Sequence, residues 1–108
     1  MSADGKLVRD RIPEIIRANG EEPVSYRADP GEYRRRLREK LVEEVDEFLT
    51  AGDEDSLEEL ADVLEVVYAI AADLGTDETQ LDSIREDKAT KRGRFAERIV
   101  LGVPIDRT

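Results

Sequence analysis

Histidine, cysteine and tryptophan are all missing from these 108 residues. Without cysteine the chain has no disulfide framework and no thiolate nucleophile. Without histidine it cannot build the imidazole-bearing sites of catalytic zinc, nor the Glu-x-x-His pairs that carboxylate-bridged di-iron bundles use. Aromatics are few, 2 Phe and 3 Tyr, so little is available to stack against a planar ligand. No apolar run approaches the roughly 20 residues that cross a bilayer, and the N-terminus lacks a secretory apolar region. Membrane partners are not expected, and the cytoplasm is the expected compartment.

What the chain does have is charge and helical period. Hydrophobic residues make up 39% and charged ones 41%, and the apolar residues fall in periodic blocks, which favours a folded helical protein over a disordered one. The net charge of −10 is unevenly spread: residues 1–38 carry 9 basic and 7 acidic side chains, 39–87 carry 2 and 18, and 88–108 carry 6 and 2. An acidic middle is flanked by basic ends. Nucleic acid needs a basic face for counterion release, so it is not an expected partner, whereas a small phosphorylated ligand held through a metal suits this distribution.

The spacing predicts an all-α fold, an antiparallel helical bundle forming a single domain over residues 1–108. Asp10 and Pro13 mark a short first helix stopped by Asn19-Gly20, with Ile12, Ile15 and Ile16 docking it on the core. Asp29-Pro-Gly-Glu32 starts a long helix through about Thr50: Asp29 caps, Pro30 takes the first helical position, and Glu32 reaches back. Gly52–Ser56 reads as a polar turn, returning a second long helix, about Leu57 to Leu74, antiparallel to the first. That helix is apolar around most of its circumference and belongs mid-bundle or at a subunit interface. Thr76 is positioned to cap a further helix through about Lys91, stopped by Gly93. The 22–27 and 97–101 segments are candidates for a minor β-ribbon.

Within the long helices, Glu44/Glu47 and Glu59/Asp62 are carboxylate pairs at i, i+3, neighbours on a helix face with Cβ atoms roughly 5–6 Å apart. An antiparallel return brings both pairs near the connecting turn. Burying them uncompensated would cost several kcal/mol each, which a divalent cation offsets. Oxygen-only ligands suit Mg²⁺, with Mn²⁺ as the substitute. Asp62, a poor helix former set mid-helix between Ala61 and Val63, is the firmest of the four. Glu59 has a rival role, because Ser56-x-x-Glu59 spells a capping box. Glu43 and Asp46 read as solvated, as does the run Arg34–Arg36. Lys88 and Arg92 stack at i, i+4 near a helix end, serving either as ordinary C-terminal cations or as a phosphate clamp; Lys6, Arg9 and Arg11 are weaker candidates for the clamp.

Glu43-Glu-Val-Asp-Glu47 followed by Glu59-Leu-Ala-Asp62 resembles the EExxE…ExxD signature of the all-alpha nucleotide pyrophosphohydrolases, the superfamily of MazG proteins, dimeric dUTPases and phosphoribosyl-ATP pyrophosphatase. The opening Lys6-Leu-Val-Arg-Asp-Arg-Ile-Pro13 and the closing Lys91-Arg-Gly-Arg-Phe95 resemble its small single-domain, phosphoribosyl-ATP-pyrophosphohydrolase-like branch. The resemblance implies a helical homodimer or homotetramer with Glu44, Glu47, Glu59 and Asp62 as Mg²⁺ ligands. It also implies attack of activated water on the α–β linkage of a nucleoside triphosphate, giving a monophosphate and pyrophosphate, in the house-cleaning of noncanonical nucleotides. Glu44 or Glu47 would take the proton, and Lys88, Lys91, Arg92 and Arg94 would neutralise phosphate. Phosphoribosyl-ATP hydrolysis is the alternative substrate reading, although Val63–Val67 stands where that enzyme often carries a histidine. A non-catalytic dimerisation or nucleotide-sensing module is the alternative from another class.

Overall fold

The computed structural model describes residues 5–105; the ends of the expected domain, 1–4 and 106–108, lie outside the described residues. The fold is all-helical: α1 Ile12–Ala18, α2 Pro30–Thr50, α3 Asp53–Asp73 and α4 Glu78–Arg92. Helices α2 and α3 pack along their lengths as an antiparallel pair, and α4 lies lightly against α3. No helix among the described residues is long and apolar enough to cross a membrane.

Local chemistry accounts for most of the boundaries. Asp29 Oδ1 accepts from the Glu32 backbone N–H at 2.8 Å, and Pro30 opens the first turn of α2. Glu32 does not reach back. Its carboxylate instead accepts from the Tyr26 hydroxyl and from Arg36 Nε at 3.0 Å, tying the preceding connector to the helix. The cap of α4 is Asp77 rather than Thr76, accepting from the Gln80 backbone N–H at 2.9 Å. Gly75 and Gly93 stop α3 and α4 at φ of 85° and 82°, left-handed values that glycine adopts without steric cost.

Helix α3 starts four residues earlier than expected, because Asp53-Glu54-Asp55 forms its first turn instead of a loop. Acidic side chains there face the positive end of the helix dipole, which favours helix over turn. The connection shrinks to Ala51 and Gly52, with Gly52 at the N-cap. Ser56 therefore lies inside α3, its Oγ donating to the Gly52 carbonyl at 3.0 Å.

Three other expectations are corrected. Asp10 does not cap α1, whose N-cap is Arg11 with no side-chain bond, and Ile15 is half exposed while Ile12 and Ile16 are partly covered. The β-ribbon is not formed: among the described residues there is no strand, and Val24, Ile99, Val100 and Leu101 are exposed. A two-stranded ribbon without a core to cover is marginal in water. The Arg34–Arg36 run is only partly solvated. Arg34 Nε pairs with Asp73 Oδ2 at 2.9 Å, closing the open end of the α2/α3 hairpin, and Arg36 donates to the Gly5 carbonyl, holding the N-terminal segment against α2.

The buried apolar core is thin: Leu37 from α2, with Val66 and Ala71 from α3. Replacing the cap, Asp29→Ala, should cost about 1 kcal/mol in urea melts. Ser56→Ala should stay within about 0.5 kcal/mol, since the hydroxyl caps nothing; a loss as large as that of Asp29→Ala would restore the later helix start.

Candidate metal centre

Residues equally distant from the Ala51-Gly52 connection face each other across α2 and α3, which brings the two carboxylate pairs together. Glu44, Glu59 and Asp62 each offer an oxygen within 4.8 Å of the others, and Glu43, Glu44 and Glu47 do the same along α2. Glu44 belongs to both groups and is the pivot. Of the four carboxylates expected as ligands, Glu44, Glu59 and Asp62 come together across the seam, whereas Glu47 groups only with Glu43 and Glu44 along α2.

Burial differs sharply among them. Glu44 is the buried charged residue of the described chain, 7% exposed, while Glu59 and Asp62 are partly covered and Glu47 is exposed. Lys40 Nζ lies 3.9 Å from Glu44 Oε2, close enough for attraction but too far for a hydrogen bond. Glu59 Oε2 is shut away from solvent with no donor. With Ser56 inside α3, the capping-box role of Glu59 is excluded; its side chain points into the carboxylate group.

The electrostatics follow from this crowding. Burial pushes the Glu44 carboxyl above its ordinary value of 4.5; Lys40 opposes the shift, and Glu47, Asp62 and Glu43 add to it. Glu59 is raised in the same direction, by desolvation first and then by Glu47 and Asp62. An enclosed acceptor without a donor beside a buried carboxylate is a donor set that fits a hard divalent cation, and the ligands present are all oxygens. Glu44, Glu59 and Asp62 would hold the ion, with Glu47 beside Glu44 on α2.

Basic side chains reach this seam from a direction the sequence underweights. The extended segment before α1 crosses α2 and α3, where Arg9 donates to Asp62 Oδ1 at 2.7 Å and Lys6 Nζ lies 3.6 Å from Glu43 Oε1. Lys40 also approaches Glu43, at 3.4 Å, so Glu43 is ion-paired and only Asp46 keeps its solvated role. Beneath the segment is a cleft of about 420 Å³, with Arg9, Arg11 and Lys40 interleaved with Asp10, Glu44, Asp62 and Glu65 on its polar side and Tyr33 among its apolar walls. The expected phosphate clamp is elsewhere. Lys88, Lys91, Arg92 and Arg94 lie at the exposed end of α4, outside the cleft, with Lys91 paired to Asp87 at 3.0 Å and Arg94 to Glu86 at 2.6 Å. Helix α4 contacts α3 and not α2, so within one chain its C-terminal cations are not delivered to the carboxylates.

A carboxyl whose folded-state pKa exceeds its unfolded value binds its proton more tightly when folded. Ionising it as pH rises from about 4.5 through the raised value therefore removes stability. Metal-free Glu44→Gln should accordingly be more stable than the parent near neutral pH, by about 1 kcal/mol, and the advantage should shrink as pH falls toward 4.5. Paired thermal melts across that range test this. Adding Mg²⁺ at neutral pH should raise the melting temperature of the parent and not that of the variant.

Comparison with known proteins adds little beyond kinship. No family model matches the chain, and no solved structure matches it. An uncharacterized protein from Mycolicibacterium smegmatis is 49% identical over 51 residues, covering 47% of this chain and 52% of that protein. The chain thus spans about half the length of the curated relative it matches.

Proposed function

We propose that the protein is a Mg²⁺-dependent nucleoside triphosphate pyrophosphohydrolase, cytoplasmic, acting on noncanonical nucleotides. The single observation that carries this reading is the convergence of Glu44, Glu59 and Asp62 within 4.8 Å, with an enclosed Glu59 oxygen that has no donor, beside a cleft to which Arg9, Arg11 and Lys40 contribute cations among its carboxylates. A divalent ion there would neutralise phosphate oxygens and acidify a water. The chain's own groups do the remainder. Glu47, exposed one turn along α2 from Glu44, would accept the proton of the attacking water. Arg9, Arg11 and Lys40 neutralise the polyphosphate in the cleft, and Tyr33 offers the aromatic face for a base. Phosphoribosyl-ATP as substrate and a non-catalytic nucleotide-sensing module are the competing readings.

Purified protein incubated with Mg²⁺ and a panel of nucleoside triphosphates should release pyrophosphate and the matching monophosphate. Turnover of phosphoribosyl-ATP alone would move the assignment to that substrate. No turnover of any nucleotide with any divalent ion would end the enzyme reading. Asp62→Asn and Glu59→Gln should each lower kcat by at least about a hundredfold while the folded helical signal persists. Full metal-dependent turnover by either variant removes that residue from the ligand set.

We further propose that the working unit is a homodimer or homotetramer. The chain exposes 9603 Å², against about 6,000 Å² for a compact monomer of 12.2 kDa. Its radius of gyration is 18.5 Å, where about 13 Å is usual for this length. Leu57, Leu60 and Leu64 form an exposed apolar stripe on α3, the kind of face a second copy covers. Sedimentation should show an oligomer at micromolar concentration, and the paired change Leu60→Glu with Leu64→Glu should dissociate or unfold it. A monodisperse parent monomer would refute the assembly.

A further inference from the structure

The geometry points to a second role for Arg9: it serves as the counterion of Asp62 in the metal-free protein, and it passes to a phosphate of the substrate when a divalent ion takes Asp62. This rests on the metal-centre reading above and adds a binding residue and an order of events to it. Arg9 Nη2 donates to Asp62 Oδ1 at 2.7 Å, and that same carboxylate belongs to the group of Glu44 and Glu59. The guanidinium therefore competes with any ion for Asp62. It is a weak competitor, because its side chain is 56% exposed and such ion pairs contribute little in water. A divalent ion coordinated by three carboxylates carries the larger local charge and displaces it.

Displacement does not release Arg9 into bulk solvent. Arg36 holds the chain upstream through the Gly5 carbonyl, and α1 begins three residues downstream at Ile12. The backbone between these anchors keeps Arg9 on the cleft wall, where its side chain turns from the carboxylate toward the cavity it already lines. The planar fork of a guanidinium suits two phosphate oxygens as well as a carboxylate. Arg11 is engaged by Glu14 at 2.8 Å and Lys40 keeps Glu43 at 3.4 Å when Glu44 turns to the ion, whereas the partner of Arg9 is itself a ligand, so Arg9 is the cation that ion arrival sets free.

The test is Mn²⁺ titration of the full chain, followed by the spin resonance of the free ion, for the parent and for Arg9→Gln. A second titration of the Mn²⁺-loaded proteins uses an α,β-methylene nucleoside triphosphate, which is not cleaved. Without nucleotide, Arg9→Gln should bind Mn²⁺ about three- to fivefold more tightly, the size of a partly exposed ion pair, with the difference fading at high salt. With nucleotide the sign reverses, and the variant should bind the analogue at least about tenfold more weakly. Arg9→Lys should recover part of the nucleotide affinity. Opposite changes are not produced by a merely structural arginine, whose loss would weaken both. Equal or weaker Mn²⁺ binding by Arg9→Gln, or unchanged affinity for the analogue, overturns the exchange. Failure of the parent to bind Mn²⁺ overturns the metal centre and the exchange together. Opposite changes in a protein that hydrolyses no nucleotide support the exchange and overturn the proposed reaction alone.

Discussion

A carboxylate inside the contact between two helices is the constraint on which the rest of this structure depends. Glu44 lies at the α2/α3 seam, 7% exposed, with no cation at hydrogen-bonding distance and with Glu59 and Asp62 facing it. A seam built only for stability would place a leucine there, because burying charge beside like charge opposes folding. The surrounding positive groups answer that charge. Lys40 approaches from the same helix, and Lys6 and Arg9 arrive from the N-terminal segment to engage Glu43 and Asp62. The segment's path across the helices follows from where the negative charge sits.

How much of this was legible depends on the range of the interaction. Asp29-Pro30 and the stopping glycines act within one turn, so the bounds of α2 and the end of α4 are readable from adjacent residues. The start of α3 differs from expectation because an acidic run has two local meanings, turn composition and a first turn favoured by the helix dipole, and here the second prevails. That one shift changed the meaning of Ser56 and with it the role of Glu59. The i, i+3 spacing predicted the carboxylate pairs, and the short connection brings Glu44 opposite Glu59 and Asp62.

Contacts between distant parts of the chain were not legible. Arg9 with Asp62 spans 53 residues and Arg34 with Asp73 spans 39. Neither leaves a periodic signal. The cations of α4 looked stronger than those of the N-terminal segment because they are denser in sequence. Density places charge on a helix end, whereas packing decides what that end reaches, and α4 packs on α3 without touching α2. Among the described residues, the first of the two basic ends framing the acidic middle lines the cleft and the second does not.

The thin core and the buried acid are two aspects of one arrangement. Leu37 and Val66 line the same cleft as Glu44 and Asp62, so the apolar contacts that join α2 to α3 also fix the spacing of the carboxylates. A larger core at this seam would stiffen it by filling the cleft. In the proposed assembly the missing apolar burial comes from outside the seam, through the exposed stripe of Leu57, Leu60 and Leu64 on α3. Glu59 follows Leu57 by two residues and precedes Leu60 by one, on a helix that cannot move one face without the other. Covering that stripe would therefore hold the α3 half of the cluster against α2 while leaving the cleft open, which lets one short helical pair carry both the fold and the charge.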